Sequence, residues 1–80
     1  MNREILLLNI DNIHTTKMGA ERIKKNFDLN IDDVVKYCKN KILNEKCSVY
    51  KHGKNWYAEI DNIKITINSS SYTIITAHKK

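Results

Sequence analysis

The chain has 80 residues, 41% of them hydrophobic, with two glycines, two cysteines and no proline. That length fits one small domain, 1–80, and excludes a two-domain enzyme with a cofactor-binding half; two cysteines exclude a disulfide-stapled secreted module, and twelve isoleucines argue against disorder. The formal charge is +5, with +1 on residues 1–40 and +4 on residues 41–80, so the C-terminal half suits a phosphate-bearing or acidic partner.

The apolar period changes once, near residue 46, dividing a helical part (about 1–45) from a sheet part (about 46–80). Residues 2–12 predict a short helix with Ile5, Leu6, Leu8 and Ile13 on one face. Leu6-Leu7-Leu8 is too short for a membrane span or a signal peptide's apolar region. Thr15 or Thr16 suits the N-cap of a second helix, about 16–26, because its hydroxyl accepts an orphan amide hydrogen bond. That helix buries Met18, Ile23 and Phe27, and Gly19 inside it either costs about 1 kcal/mol against alanine or permits a close backbone approach. A third helix spans about 31–44, with Asn30 as cap, Asp33 in the first turn and Val34, Val35, Cys38 and Ile42 as the apolar stripe.

Strands follow. Residues 47–51 form the first, His52-Gly53-Lys54-Asn55 a turn, and Trp56–Ile60 the second. Asp61-Asn62 turns again into Ile63, Ile65 and Ile67, which alternate with Lys64, Thr66 and Asn68. Ser69-Ser70 leads to a last strand, Tyr72 to His78. The fold class is therefore α+β: three N-terminal helices packed on one face of a four-stranded antiparallel β-meander. With an even loop between the last two strands, Thr66 lies opposite Thr73 and Lys64 opposite Ile75. The polar face then presents Lys64, Thr66, Asn68, Ser71 and Thr73. An odd loop or a bulge flips one strand relative to the other.

His14-Thr15-Thr16, Gly19 with Glu21-Arg22-Ile23, Gly53-Lys54-Asn55-Trp56-Tyr57, Thr66-Ile67-Asn68 and Ser71 to Lys79 together resemble the DUF3781 family, small bacterial proteins of unknown function. The resemblance covers nearly the whole chain and implies fold boundaries rather than a mechanism. Helices followed by a meander also bear a looser similarity to the barnase–EndoU–colicin–RelE group of small ribonucleases. That second likeness is one of fold order, and fold alone does not carry function.

Metal-independent RNA cleavage needs a base, an acid and a cation. Histidine suits the first two and lysine the third. The candidate catalytic residues are His14, Lys54, Ser71 and His78. The candidate nucleic-acid contacts are Arg22, Lys51, Trp56, Thr66, Thr73 and Thr76, with Trp56 or Tyr57 able to stack a base. The leading expectation is a small ribonuclease or toxin-like domain, which requires His14 and His78 beside one basic pocket. The alternative is a non-catalytic binding module, such as a phage or mobile-element inhibitor or a regulator, that holds RNA or a nucleic-acid-handling protein. A third reading pairs an exposed strand edge with a second copy or a partner. Cys38 and Cys47 read as free thiols of a reducing cytoplasm. His14, His52 and His78 match no zinc spacing, so neither metal nor small-molecule cofactor is expected, and no membrane partner.

Overall fold

The computed structural model describes residues 2–27 and 32–80. Helix α1 covers Asn2–Leu8, a 3-10 turn covers Ile10–Asn12, α2 covers Lys17–Phe27 and α3 covers Val34–Leu43. Strands β1 (Ser48–His52), β2 (Asn55–Ile60), β3 (Ile63–Asn68) and β4 (Ile74–Lys79) form one antiparallel sheet in the order β1-β2-β3-β4. The architecture is α+β with the helices N-terminal.

Each boundary has a local cause. The first helical segment ends at Leu8 rather than near Asn12, because Asn9 turns the chain tightly: its side-chain amide donates to the Ile5 carbonyl at 3.0 Å. Thr16 caps α2, its hydroxyl accepting the Gly19 amide at 3.0 Å. Asp33 caps α3 by accepting the Lys36 amide at 3.0 Å, so it serves as the cap instead of a first-turn partner. Asn30, the expected cap, lies outside the described residues. The β1–β2 turn is Gly53-Lys54 with Gly53 at φ +62°, and the β2–β3 turn is Asp61-Asn62 with both residues at positive φ, the geometry that matches strand twist in two-residue hairpins.

The core joins both parts of the chain. Leu6, Ile23, Phe27, Val34, Cys38 and Ile42 from the helices pack with Trp56, Ala58, Ile63, Ile65, Ile67, Ile74 and Ala77 from the sheet. Helix α1 meets β1, α2 runs along β4, and α3 meets β2. Lys41 near the end of α3 also bridges to Asp61 of the β2–β3 turn at 2.9 Å. Three apolar expectations fail. Met18 is 72% exposed, Leu8 85% and Ile5 49%, because Met18 lies on the side of α2 opposite buried Phe27, at about 100° per residue, and Ile5 and Leu8 stand on the side of α1 turned from buried Leu6.

The last hairpin corrects the expected register. Thr66 pairs with Thr76, not Thr73, and Lys64 with His78, not Ile75. The loop holds four residues, Ser69–Tyr72, closed by Asn68 and Thr73 (the Asn68 amide donates to the Thr73 carbonyl at 2.9 Å). The ladder then shifts between Ile67–Ile74 and Thr66–Thr76, leaving Ile75 as an extra residue that bulges outward, 42% exposed. A bulge resets the alternation. Thr73 points away from the core on one side of it, and Thr76 and His78 do so on the other, with Ile74 and Ala77 buried between them.

Candidate nucleic-acid interface

Three rows of side chains cross the side of the sheet that faces away from the core. The middle row is Tyr50, Tyr57, Thr66 and Thr76, and on one side of it stands Ser48, Glu59, Lys64 and His78. On the other side are His52, Asn55 and Asn68, continued by Thr73.

The Tyr50 and Tyr57 rings stack with centroids 5.3 Å apart, and the Lys64 ammonium lies 4.8 Å from the Tyr57 centroid. One face of Tyr57 therefore meets an aromatic ring while its π system also holds a cation. Glu59 is the acid in this array. It accepts a hydrogen bond from the Tyr50 hydroxyl at 2.6 Å and is paired with Lys80. These two donors, Lys80 foremost, hold its carboxyl below the usual range, and the same bond holds the Tyr50 phenol above its own. The negative charge on this surface is thus matched by a cation of the chain.

A hydrogen-bonded chain occupies one corner. His14 leaves the 3-10 turn in extended backbone and forms a parallel bridge to Thr73: its amide donates to the Tyr72 carbonyl at 3.1 Å and its carbonyl accepts the Ile74 amide at 2.7 Å. Its Nδ1 stands 2.8 Å from the Asn12 carbonyl, which can only accept, so in the neutral ring Nδ1 carries the proton and Nε2 the lone pair. Nε2 lies 3.0 Å from the Thr73 hydroxyl, which lies 2.8 Å from the Ser71 hydroxyl. The hydrogen bonds can accordingly all be donated in one direction, Ser71 to Thr73 to His14 to the Asn12 carbonyl, with Asn68 Oδ1 as a second acceptor 3.3 Å from the Ser71 hydroxyl. Asn68 Oδ1 holds the loop by accepting the Ser70 and Ser71 amides at 2.9 and 3.0 Å.

The structure thus brings together His14, Ser71 and Thr73. Lys54 is exposed in the β1–β2 turn at the same end of the sheet, its carbonyl accepting the Ser69 amide at 2.9 Å. His78 is not with them. It lies on the same side of the sheet but four ladder positions beyond Thr73, the bulged Ile75 not counted, roughly 13 Å at about 3.3 Å per strand residue. The two imidazoles do not face one pocket.

Thr66 and Thr76 sit mid-surface as a cross-strand pair, Thr66 almost fully covered by its neighbours. Trp56 belongs to the core, 3% exposed, and offers no free face to a base; it carries Lys51 at 5.9 Å on its edge-strand side. Arg22 is exposed on α2, off the sheet surface. Sequence reasoning misses Tyr50 altogether and offers Tyr57 only as a substitute for Trp56. The signal for both is present: they stand at equal distance from Gly53-Lys54, and a two-residue hairpin sets such residues opposite each other.

Among the described residues no three His, Cys, Asp or Glu side chains gather in a metal-binding group, and no helix is long and apolar enough to cross a membrane. No curated protein and no solved structure matches the chain. A family model described as protein of unknown function, DUF3781, matches residues 7–78, and with nearly the whole sequence covered the chain belongs to that family.

Proposed function

We propose that this protein is a non-catalytic RNA-binding module that holds a single strand across the open side of its sheet. We read all three helices as lying on the opposite side, where every buried apolar residue of the sheet meets them. The observation that carries the reading is the Tyr50–Tyr57 stack with Lys64 beside it, set among hydroxyl and imidazole side chains. Aromatic faces stack unpaired bases at about 1–3 kcal/mol per base, and neighbouring cations meet the phosphates. The distribution of charge, +4 of the +5 on residues 41–80, favours the same partner.

The spacing of the histidines favours recognition over cleavage. A general acid and a general base must both reach one scissile phosphate within hydrogen-bond distance. His14, beside Thr73, and His78 are separated by roughly 13 Å along β4 at about 3.3 Å per ladder position, which matches a strand of several nucleotides instead. Thr76 lies between them, so phosphate and ribose contacts can be distributed along β4.

Anisotropy titration of labelled single-stranded RNA at rising salt tests this. The wild type is expected to bind at low salt, to weaken as salt rises, and to leave the RNA intact in EDTA. Replacing both Tyr50 and Tyr57 with alanine is expected to weaken binding by about tenfold or more, the equivalent of one lost stack. Folded wild-type protein that ignores RNA at low salt overturns the reading; cleavage in EDTA that depends on His14 restores the nuclease.

A further inference from the structure

The two edges of the sheet are treated differently. β4 is covered on its free side: His14 bridges to Tyr72 and Ile74, the Thr15 hydroxyl donates to the Ile74 carbonyl at 3.1 Å, and the Asn26 amide donates to the Ala77 carbonyl at 3.2 Å. On β1 such cover reaches only the residue before the strand, where the Arg3 guanidinium donates to the Cys47 carbonyl at 3.0 Å. In a two-residue hairpin closed by His52 and Asn55, hydrogen-bonded pairs alternate, so His52, Tyr50 and Ser48 bond to β2 while Val49 and Lys51 aim their amides and carbonyls outward. No backbone partner meets Val49 or Lys51 on that side among the described residues. Exposed edges that stay unpaired are commonly blunted by proline, a bulge or an inward charge. β1 runs Ser-Val-Tyr-Lys-His without proline or register shift; its one inward charge is Lys51, whose ammonium lies along the Trp56 ring, 5.9 Å from its centroid.

We infer that β1 is a self-association edge, on which a second copy of this chain adds its own β1 antiparallel to make one continuous eight-stranded sheet. The occupant follows from the register. Pairing centred on Tyr50 sets Val49 against the second copy's Lys51 and Lys51 against its Val49. Those are the residues whose backbone groups point outward, so all four outward groups of each strand segment are used. Like charges do not meet in that register: Lys51 faces Val49, and His52 faces Ser48. Tyr50 meets its own counterpart as a non-hydrogen-bonded pair, with Cα atoms about 4.5 Å apart, the closer of the two pair types. Since Tyr57 already stacks on Tyr50, four tyrosines then line one row across the seam. A second observation lies at the same edge. Helix α1 packs on β1, and its Ile5 and Leu8, three residues apart on one side of the helix, are 49% and 85% exposed.

This association concerns the edge and not the RNA, so it is tested without nucleic acid. Sedimentation equilibrium of the full chain over a concentration series is expected to show mass rising from 9.4 kDa toward twice that value. Lys51→Pro removes an outward amide without touching the bonds to β2, and is expected to shift the dissociation constant upward at least tenfold. Tyr50→Cys is expected to form a disulfide-linked dimer on mild oxidation, since the expected Cα separation lies within disulfide range. That cross-link reads out the register even where the proline variant fails to fold. A wild type that stays at monomer mass at millimolar concentration, a dimer that persists in Lys51→Pro, or a Tyr50→Cys variant that does not cross-link each overturns the inference.

Discussion

Gly19 sits where a Cβ would stand 2.4 Å from the Thr15 hydroxyl and 3.2 Å from that of Thr16. Both hydroxyls are engaged, Thr15 with the Ile74 carbonyl and Thr16 as the α2 cap. Helix propensity alone favours alanine by about 1 kcal/mol. Rotating Thr15 away leaves the Ile74 carbonyl without its donor, a cost of about 1–3 kcal/mol for a covered group. Gly19→Ala is therefore expected to be neutral to destabilising by up to about 2 kcal/mol, read as a lowered urea midpoint with an unchanged slope; a clear gain in stability would count against the tight contact. Two other residues respond to chemistry around them. Burial pushes the Cys38 thiol up to about 12 from its ordinary 9.0, so Cys38 should resist alkylation in the native protein and react once urea unfolds it. Glu59 behaves in the opposite sense. Its carboxyl is depressed by Lys80 and Tyr50, so its contribution is present above the ordinary value of 4.5 and is lost as pH falls through the lower folded value. Glu59→Gln should flatten the acid limb of stability against pH, measured by denaturant midpoints at successive pH values.

The hairpins show how far elements can be read from residues. Asp61-Asn62 announces a two-residue turn, and the alternation Ile63, Ile65, Ile67 fixes which side of β3 is buried. Thr16, Ile23 and Phe27 likewise declare α2 and its inward stripe. The bulge at Ile75 is silent in the sequence, since isoleucine and threonine are good strand formers on either side and no glycine marks the shift. Its effect on the candidate site is large: it turns Thr76 and His78 to the side that Thr73 already faces. The bridge from His14 to Thr73 is equally illegible, because it joins residues 59 apart in the chain through backbone atoms that every residue type possesses. Deleting Ile75 tests the role of the bulge. Without Ile75, strict alternation keeps Ile74 and Ala77 inward and Thr76 and His78 outward, opposite the same residues of β3. The deletion is therefore expected to leave thermal stability close to that of the wild type, since only an exposed, unpaired residue is removed. A deletion variant that melts far below the wild type would show that the local bend of the bulge is itself needed to seat β4.

At the scale of the molecule, neither part of the chain buries its apolar surface alone. The sheet contributes Trp56, Ile63, Ile65, Ile67 and Ile74 to the core, and the helices cover them with Leu6, Ile23, Phe27, Cys38 and Ile42. Side-chain and backbone ties run between the two parts at separate places: Arg3 to the Cys47 carbonyl at 3.0 Å, Lys41 to Asp61, Asn26 to the Ala77 carbonyl and His14 to Thr73. An exposed tie such as Lys41–Asp61 contributes little by itself, in the range of about 0–1 kcal/mol. The shared apolar interior is what makes the parts interdependent, because opening either one exposes isoleucines of the other. Loss of the helices and loss of the sheet should therefore be a single event. Trp56 reports the sheet side of the core, and far-ultraviolet circular dichroism reports chiefly the helices. Urea transitions followed by Trp56 fluorescence and by helical ellipticity are expected to coincide in midpoint and slope, as two-state unfolding of a domain this small requires. A helical transition that precedes the tryptophan transition would mean that the sheet persists without its cover, and the account of one shared core would have to be abandoned.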